Sequence, residues 1–328
     1  MTSLTRSRFL SCLVAGAAAL AVPAAFAQQG YPDRPIKLIV PFAPGGATDI
    51  LGRLLAAGLS DKLGQPVVVE NRPGAGTVVA GGLVAKAPPD GYTLFLGASS
   101  TLTYNPAIRA QLPYDPLHSF TPLGMVADMG LVLVANNATP GKTLQELVAL
   151  SKAEPDKFSY GSFGTGSSVH FGGEMLKTAT GLKAMHVPFN GSSPSLTALM
   201  GGQVQLAVDT VVATTPLIKA GKIRAIATLG AQRLPLLPQV PTVAESGYPG
   251  FSADTWFPFL APAGLPASVR QKVEKALADV MADPAVRTRL VDVGLTPAWG
   301  PGSVVTERVE RELPQMRAVA ARSGIRVD

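Results

Sequence analysis

One arrangement recurs along this chain and restricts its fold more than any other. A short apolar run ends in glycines and hydroxyl residues, and a helical pattern begins directly behind them. It occurs at Pro41–Asp49, Gly97–Thr101 and Gly161–Ser168, and more weakly at Asn190–Ser195. The clearest copy is Tyr160 to His170, where Phe158 and Tyr160 lead into the turn Gly161–Ser168. Val169, Phe171, Met175 and Leu176 then share a helical face, closed by Gly181. Serine oxygens at a helix start satisfy free backbone N–H groups. Glycines let those N–H groups approach a bound atom, with the positive end of the helix dipole behind them. One such turn is only a capped connection. Several of them at strand ends describe an open α/β sheet, whose ligands sit outside the carboxyl ends of the strands.

The alternation continues through the chain. Ile36–Val40 is a nearly continuous apolar strand of the buried parallel kind. A helix follows, capped by Thr48 or Asp49, with Ile50, Leu51, Leu54, Leu55 and Leu59 on one side and Gly64 at its end. Val67–Val69 and Tyr92–Leu96 are the next strands. Pro106–Pro122 reads as connection, and Leu123–Val134 as a strand interrupted at Asp128-Met129-Gly130 where one segment passes between two lobes. Strand and helix alternate again from Leu144 to Thr228, without repeating the first half's sequence. Thr255–Leu260 is an aromatic strand. Two helices finish the chain, one capped by Ser268 and ending at Asp283-Pro284, one from Ser303 to Ala321 kinked at Pro314. The fold class is α/β, each lobe a mainly parallel sheet flanked by helices.

The N-terminus constrains where the protein works. Arg6 and Arg8 precede an apolar run from Phe9 to Val22, and Ala25-Phe26-Ala27 is a small-x-small cleavage signal. Residues 1–27 therefore read as a secretory leader cut after Ala27, too short and too rich in Ala and Gly to span a membrane. Cys12 precedes most of that apolar segment instead of following it, so a lipoprotein anchor is rejected. Removing 27 of 328 residues leaves 301, with no cysteine and a net charge lowered from +6 to +4 by loss of the two arginines. Export without disulfides fits a bacterial periplasm. The remaining charges form no basic block, and nucleic acid is not an expected partner.

The residues also resemble a known family, the Bug-type periplasmic solute receptors of tripartite tricarboxylate transporters. The resemblance rests on Pro41-Phe42-Ala43-Pro44-Gly45-Gly46 with Thr48-Asp49, on Val69–Gly76, and on Pro89-Asp90-Gly91-Tyr92-Thr93. It extends through Gly164–His170, His186-Val187-Pro188 with Gly191, and Gly201-Gly202-Gln203-Val204 leading to Asp209. Leu237–Thr242 and Ala261–Pro266 complete a set that runs in order over nearly the whole exported chain. Phe189-Asn190 departs from the aromatic–lysine pair common there, and Pro258 from a usual glycine.

The resemblance implies a two-lobe, type II periplasmic-binding-protein fold. Lobe 1 spans 28–129 with 252–328 returning to it, and lobe 2 spans 130–251. By analogy the ligand, a small organic carboxylate, lies between the Phe42–Asp49 loop and the helix starts of the other lobe. Phe42, Ala43, Gly45, Gly46, Thr48, Asp49, Ser99, Ser100, Thr165, Gly166, Ser167, Ser168, His170, Asn190 and Asp209 line the site. The implied protein is a monomeric, cofactor-free receptor that delivers its ligand to membrane permease subunits and catalyses nothing.

Other readings attach to single residues. His170 and Glu174, four apart on a helix, are a possible metal pair, but without cysteine and with only His118 and His186 besides, a donor or packing role is favoured. Asp209 either accepts bonds from a ligand or caps the next helix. Trp256 reads as core or cleft wall, Phe42 as a stacking platform, and Arg72 as a pin between loops. An exported α/β hydrolase using a loop serine is the alternative function. No Gly-x-Ser-x-Gly elbow supports it, and Pro140-Gly141-Lys142-Thr143 lacks the first glycine of a phosphate loop.

Overall fold

The structure is a computed structural model and describes residues 30–327. The expected leader, its cleavage point and Cys12 lie outside the described residues. In chain order the first part holds β1 (Ile36–Val40), α1 (Ala47–Leu63), β2 (Val67–Asn71), α2 (Val78–Ala85), β3 (Thr93–Leu96) and α3 (Asn105–Ile108). The long strand β4 (Phe120–Asn136) follows, then α4 (Leu144–Ala153), β5 (Ser159–Ser162), α5 (Ser168–Thr180), β6 (Met185–Pro188) and α6 (Ser192–Met200). Next come β7 (Leu206–Thr210), α7 (Val211–Lys219), β8 (Ile223–Thr228) and β9 (Asp254–Pro262). The chain closes with α8 (Ala267–Ala282), α9 (Pro284–Asp292), β10 (Leu295–Pro301) and α10 (Gly302–Ser323).

Strand order separates two lobes. β1 pairs parallel with β2 and β3, while β5 pairs parallel with β6 and β7. β4 joins these parallel sets. Up to Gly130, opposite Asp254, it runs antiparallel to β9, which in turn pairs with β3. From Leu131 onward its partners are β7 and β8. Asp128-Met129-Gly130 is thus no interruption: the strand continues through the crossing and only its neighbours change. β10 covers the other edge of the first half of β4.

Burial accounts for the elements. Ile36, Leu38, Ile39 and Val40 are buried on both faces of β1, leaving Lys37 exposed. Helix α1 lays Leu51, Leu55 and Leu59 on this sheet. Gly52 allows the close approach, since a Cβ there would lie 2.9 Å from Val40. At the crossing, Arg308 of α10 bonds Asp128 at 2.5 Å and Glu312 at 2.7 Å, and stacks over Trp256 at 4.9 Å. Trp256 is fully buried, its indole N–H on Glu312 at 2.8 Å, so it is core.

Several expectations need correction. Helix α1 starts at Ala47 behind Gly46, and neither Thr48 nor Asp49 is its N-cap. The Asp49 carboxylate sits in the first turn instead, engaged by other donors. Ser268 does not cap α8, which begins one residue earlier behind Pro266. Pro106 lies inside α3, and β4 already starts at Phe120. The end of the chain holds α9 and β10 besides two long helices, and α10 remains helical through Pro314. The extra pair escapes a search for periodicity because Leu290 is the one buried residue of α9 and β10 itself contains Pro297 and Pro301. Arg72 is exposed and pairs with neighbouring Glu70, so it pins no second loop.

Candidate ligand cleft between the lobes

The glycine corner after β1 is shaped by its own carboxylate. Asp49 accepts from the Gly45 amide, Arg53 Nε and Asn71 Nδ2, each at 3.0 Å. Burial works against its charge, yet these donors hold the carboxyl below its ordinary value. Asn71 also donates to the Phe42 carbonyl at 2.9 Å, fixing the loop's bend. Asp49 therefore organises the loop through its negative charge, and its oxygens are already taken. Thr48 is buried beside it.

Behind β3, Ser99 and Thr255 share a 2.9 Å hydroxyl bond, and the Ser100 hydroxyl points across to the other lobe. Behind β5, Ser167 caps α5. Its oxygen accepts from the His170 amide at 3.3 Å and donates to the Gly164 carbonyl at 2.7 Å. The Gly166 amide donates to His170 Nδ1 at 3.2 Å. His170 lies buried and stacked on His186, with ring centres 4.1 Å apart, and His186 Nε2 meets Ser162 Oγ at 2.6 Å. Burial first, then the cations Lys177 and Arg109, push His170 down to about 4. Burial and His170 itself push His186 down to about 3. Both rings are neutral at pH 7, so His170 is a rigid strut for the Gly166 loop. Glu174 takes bonds from Tyr160 at 2.7 Å and Lys177 at 2.8 Å. No cluster of three or more metal-ligating groups forms among the described residues.

Behind β6, Asn190 is exposed and contributes its carbonyl, while Ser192 donates to both Asp209 oxygens at 2.9 Å. Asp209 is fully buried and also accepts the Thr210 amide at 2.6 Å. Its carboxyl rises to about 7 because burial outweighs those bonds. It locks the start of α6 to the end of β7. The Ser195 hydroxyl, fully buried beside Gly161, has no hydrogen-bond partner among the described residues.

These corners meet along one seam. The Ala43 amide donates to the Asn190 carbonyl at 3.2 Å, and Ser193 Oγ to the Pro44 carbonyl at 3.1 Å. Phe42 meets Phe163 edge-on at 5.6 Å, an aromatic contact between lobes where a free stacking platform is expected from sequence. The Ser168 amide donates to Ser100 Oγ at 2.9 Å. Of the fifteen expected residues, most belong to this seam directly. Asp49, Ser99 and Asp209 stand behind it with their side chains bonded internally. Cavities of about 510 Å³ beside Tyr248 and Phe251, and of about 630 Å³ beside Tyr31 and Lys272, lie elsewhere and include none of the fifteen.

Sequence reading misses several seam residues. Asn71, Ser192 and Ser193 lie inside the motifs but carry no charge or period that singles them out. Asn105 directly precedes, and Arg109 falls in, what reads as proline-rich connection. Arg109 nevertheless brings a guanidinium to the seam, with Nη2 3.5 Å from the Thr165 carbonyl. Turns without Lys or Arg thus still have a cation nearby.

Comparison with known proteins identifies the family. Residues 51–319 match the tripartite tricarboxylate transporter family receptor. Protein BugT of Bordetella pertussis is 34% identical over 322 residues, covering 98% of this chain and 99% of BugT. A solved R. palustris protein with adipate superposes with a TM-score of 0.87 at 35% identity, over 90% of this chain and 99% of that one. MatC from Rhodopseudomonas palustris with bound malate gives a TM-score of 0.83 at 34% identity, over 88% and 99%. A seam of glycine-rich helix starts between two α/β lobes, together with matches over almost the full chain, places this protein in the tripartite tricarboxylate transporter receptors, the Bug-type solute-binding proteins, a family of receptors and not of enzymes.

Proposed function

We propose that the protein binds a small organic carboxylate at the seam, in the periplasm, and presents it to the membrane subunits of a tripartite transporter. The observation that carries this reading is the convergence of four glycine and hydroxyl corners from both lobes, none of which carries a Lys or Arg. The Ser168 amide at the start of α5 and the Ser100 hydroxyl already meet across the gap, and an anion entering between the lobes exchanges that bond for its own. Charge-assisted bonds from such donors contribute about 1.5–3 kcal/mol each. Ser195, buried without a hydrogen-bond partner among the described residues, offers a further hydroxyl. The relatives with adipate and malate support an acid as the ligand class.

In this proposal lobe 1 comprises 28–129 and 252–328, lobe 2 comprises 130–251, and the hinge lies where β4 exchanges β9 for β7 and β8. Ala43, Gly45, Gly46, Ser100, Thr165–Ser168 and Asn190 face the ligand. Phe42 and His170 wall the site, and Thr48, Asp49, Ser99 and Asp209 support it. The receptor acts as a monomer.

Titration calorimetry on the exported chain tests the site. A panel of mono- and dicarboxylates, with adipate and malate included, should contain a tight binder whose amide analogue binds far more weakly. Gly166→Asp should abolish binding while each lobe stays folded, because it sets a carboxylate at the cradle and its Cβ would lie 2.0 Å from Asn105 Oδ1. Undiminished affinity in that variant would place the site elsewhere, and turnover of a bound acid would favour the hydrolase. N-terminal sequencing of exported protein should begin at Gln28.

A further inference from the structure

Asn105 opens α3, is fully buried, and belongs to none of the recurring glycine and hydroxyl corners. Its Nδ2 donates to the Gly76 carbonyl at 2.6 Å and to the Ser100 carbonyl at 3.0 Å, while Oδ1 accepts from Arg109 Nε at 3.0 Å. One carboxamide thus joins three separate pieces of lobe 1: the Gly74–Thr77 loop, the Ser100 turn and Arg109. Only a side chain with both a donor and an acceptor end satisfies that set. The joined loop is strained, since Ala75 (φ 47°) and Thr77 (φ 95°) are non-glycine residues in left-handed backbone. Such conformations persist where surrounding structure imposes them, and they collect at functional sites.

Lobe 2 touches this surface through bare backbone. A Cβ on Gly166 (φ 86°) would lie 2.0 Å from Asn105 Oδ1 and 2.8 Å from its Cγ. A Cβ on Gly76 (φ 61°) would lie 2.4 Å from the Thr165 carbonyl oxygen and 2.9 Å from the Ser167 amide nitrogen. Two glycines, one from each lobe, are therefore the surfaces that meet. Ser100, which takes the Ser168 amide, is held in place by the same Asn105.

We infer that Asn105 is the positioning residue for lobe closure: it sets the lobe 1 surface on which Gly166 seats and thereby holds Ser100 against α5. The inference rests on the solute-receptor reading but concerns closure itself, which can be measured without any ligand. The exported chain has no cysteine, so Lys62→Cys in α1 and Lys219→Cys in α7, both exposed, accept a fluorophore pair reporting lobe separation. Asn105→Ala, Gly166→Ala and their combination are compared with the parent without added acid, alongside hydrogen exchange of the 164–170 segment.

Each single variant should lower the closed-to-open ratio by about tenfold and speed exchange at Ser168. The pair should be non-additive by about fivefold or more, because removing the carboxamide makes room for the new methyl group. A support role confined to lobe 1 would make the two effects add, and that result, or an unchanged distance in either single variant, would overturn the inference. Gly76→Ala approaches the same contact from the opposite side. It should open the lobes even if Asn105→Ala proves too unstable to purify, and an unchanged lobe separation there would also overturn it. Adding the panel of carboxylates to the parent, adipate and malate included, tests the receptor reading separately: failure of every acid to change lobe separation counts against that reading and leaves the result of the double-mutant cycle intact.

Discussion

Acidification should unfold this protein through its stacked histidines. His170 and His186 face each other at 4.1 Å, and the charges around them are Lys177, Arg109 and Glu174. An unfolded histidine titrates near 6.5, whereas folding holds His170 at about 4 and His186 at about 3. Between these values the unfolded chain binds more protons, so stability rises with pH there. The neutral pair's contribution is complete above about pH 6.5 and is lost as pH falls toward 4. For His170 a displacement of roughly 2.5 units is worth about 3 kcal/mol at ~1.4 kcal/mol per unit. In a chain of this size, at ~2.1 cal/mol/K per residue, that moves the thermal midpoint by roughly 5 °C. Protonated Nδ1 would also face the Gly166 N–H it now accepts, so the cradle should loosen before the fold does.

The assay compares thermal and urea unfolding from pH 4 to 8 in the parent and in His170→Asn/His186→Gln. Asn Oδ1 can keep the Gly166 bond and Gln can keep the Ser162 bond, so the variant removes titration while sparing the contacts. Subtracting its profile also cancels Asp209, which acts in the opposite sense. The parent should lose stability relative to the variant between pH 6.5 and 4. Parallel profiles over that range would refute the reasoning.

Asp209, raised to about 7 chiefly by burial, contributes stability that is fully present below pH ~4 and lost as pH rises toward 7, so Asp209→Asn should unfold later than the parent at pH 8 and no later at pH 4 in urea titrations. Arg308→Met should cost about 1–3 kcal/mol by urea unfolding, because it leaves the partly exposed Asp128 and Glu312 carboxylates without their guanidinium at the strand crossing. Asn71→Ala should weaken binding of the best acid in the calorimetric panel by about tenfold with a smaller loss of stability, since its amide fixes the Phe42 carbonyl and Asp49.

Strands β1, β3 and β9 and helices α1, α4, α5 and α10 are legible in the chain because burial imposes period and glycines mark their ends. The corner at Gly161–Ser168 is legible because cap chemistry is local: Ser167 does what a serine before an apolar helix does. The same locality explains the failures. Thr48 and Asp49 look like caps, but whether the Asp49 oxygens turn to Gly45 or to a helix end depends on Asn71, 22 residues away. Phe42 reads as a platform until Phe163 of the other lobe is seen against it. Asn105 carries no signal at all, because an asparagine after a tyrosine states nothing about which carbonyls it will reach.

What the amino-acid order determined by itself is the alternation of elements and the donor character of their turns, both properties of neighbours along the chain. Tertiary structure alone decided that four such turns face one another, that Asp49 and Asp209 serve as buttresses, and that two bare glycines form the meeting surface. Those outcomes depend on distances between residues far apart in the chain, and such distances exist only once both lobes have folded and β4 has joined them.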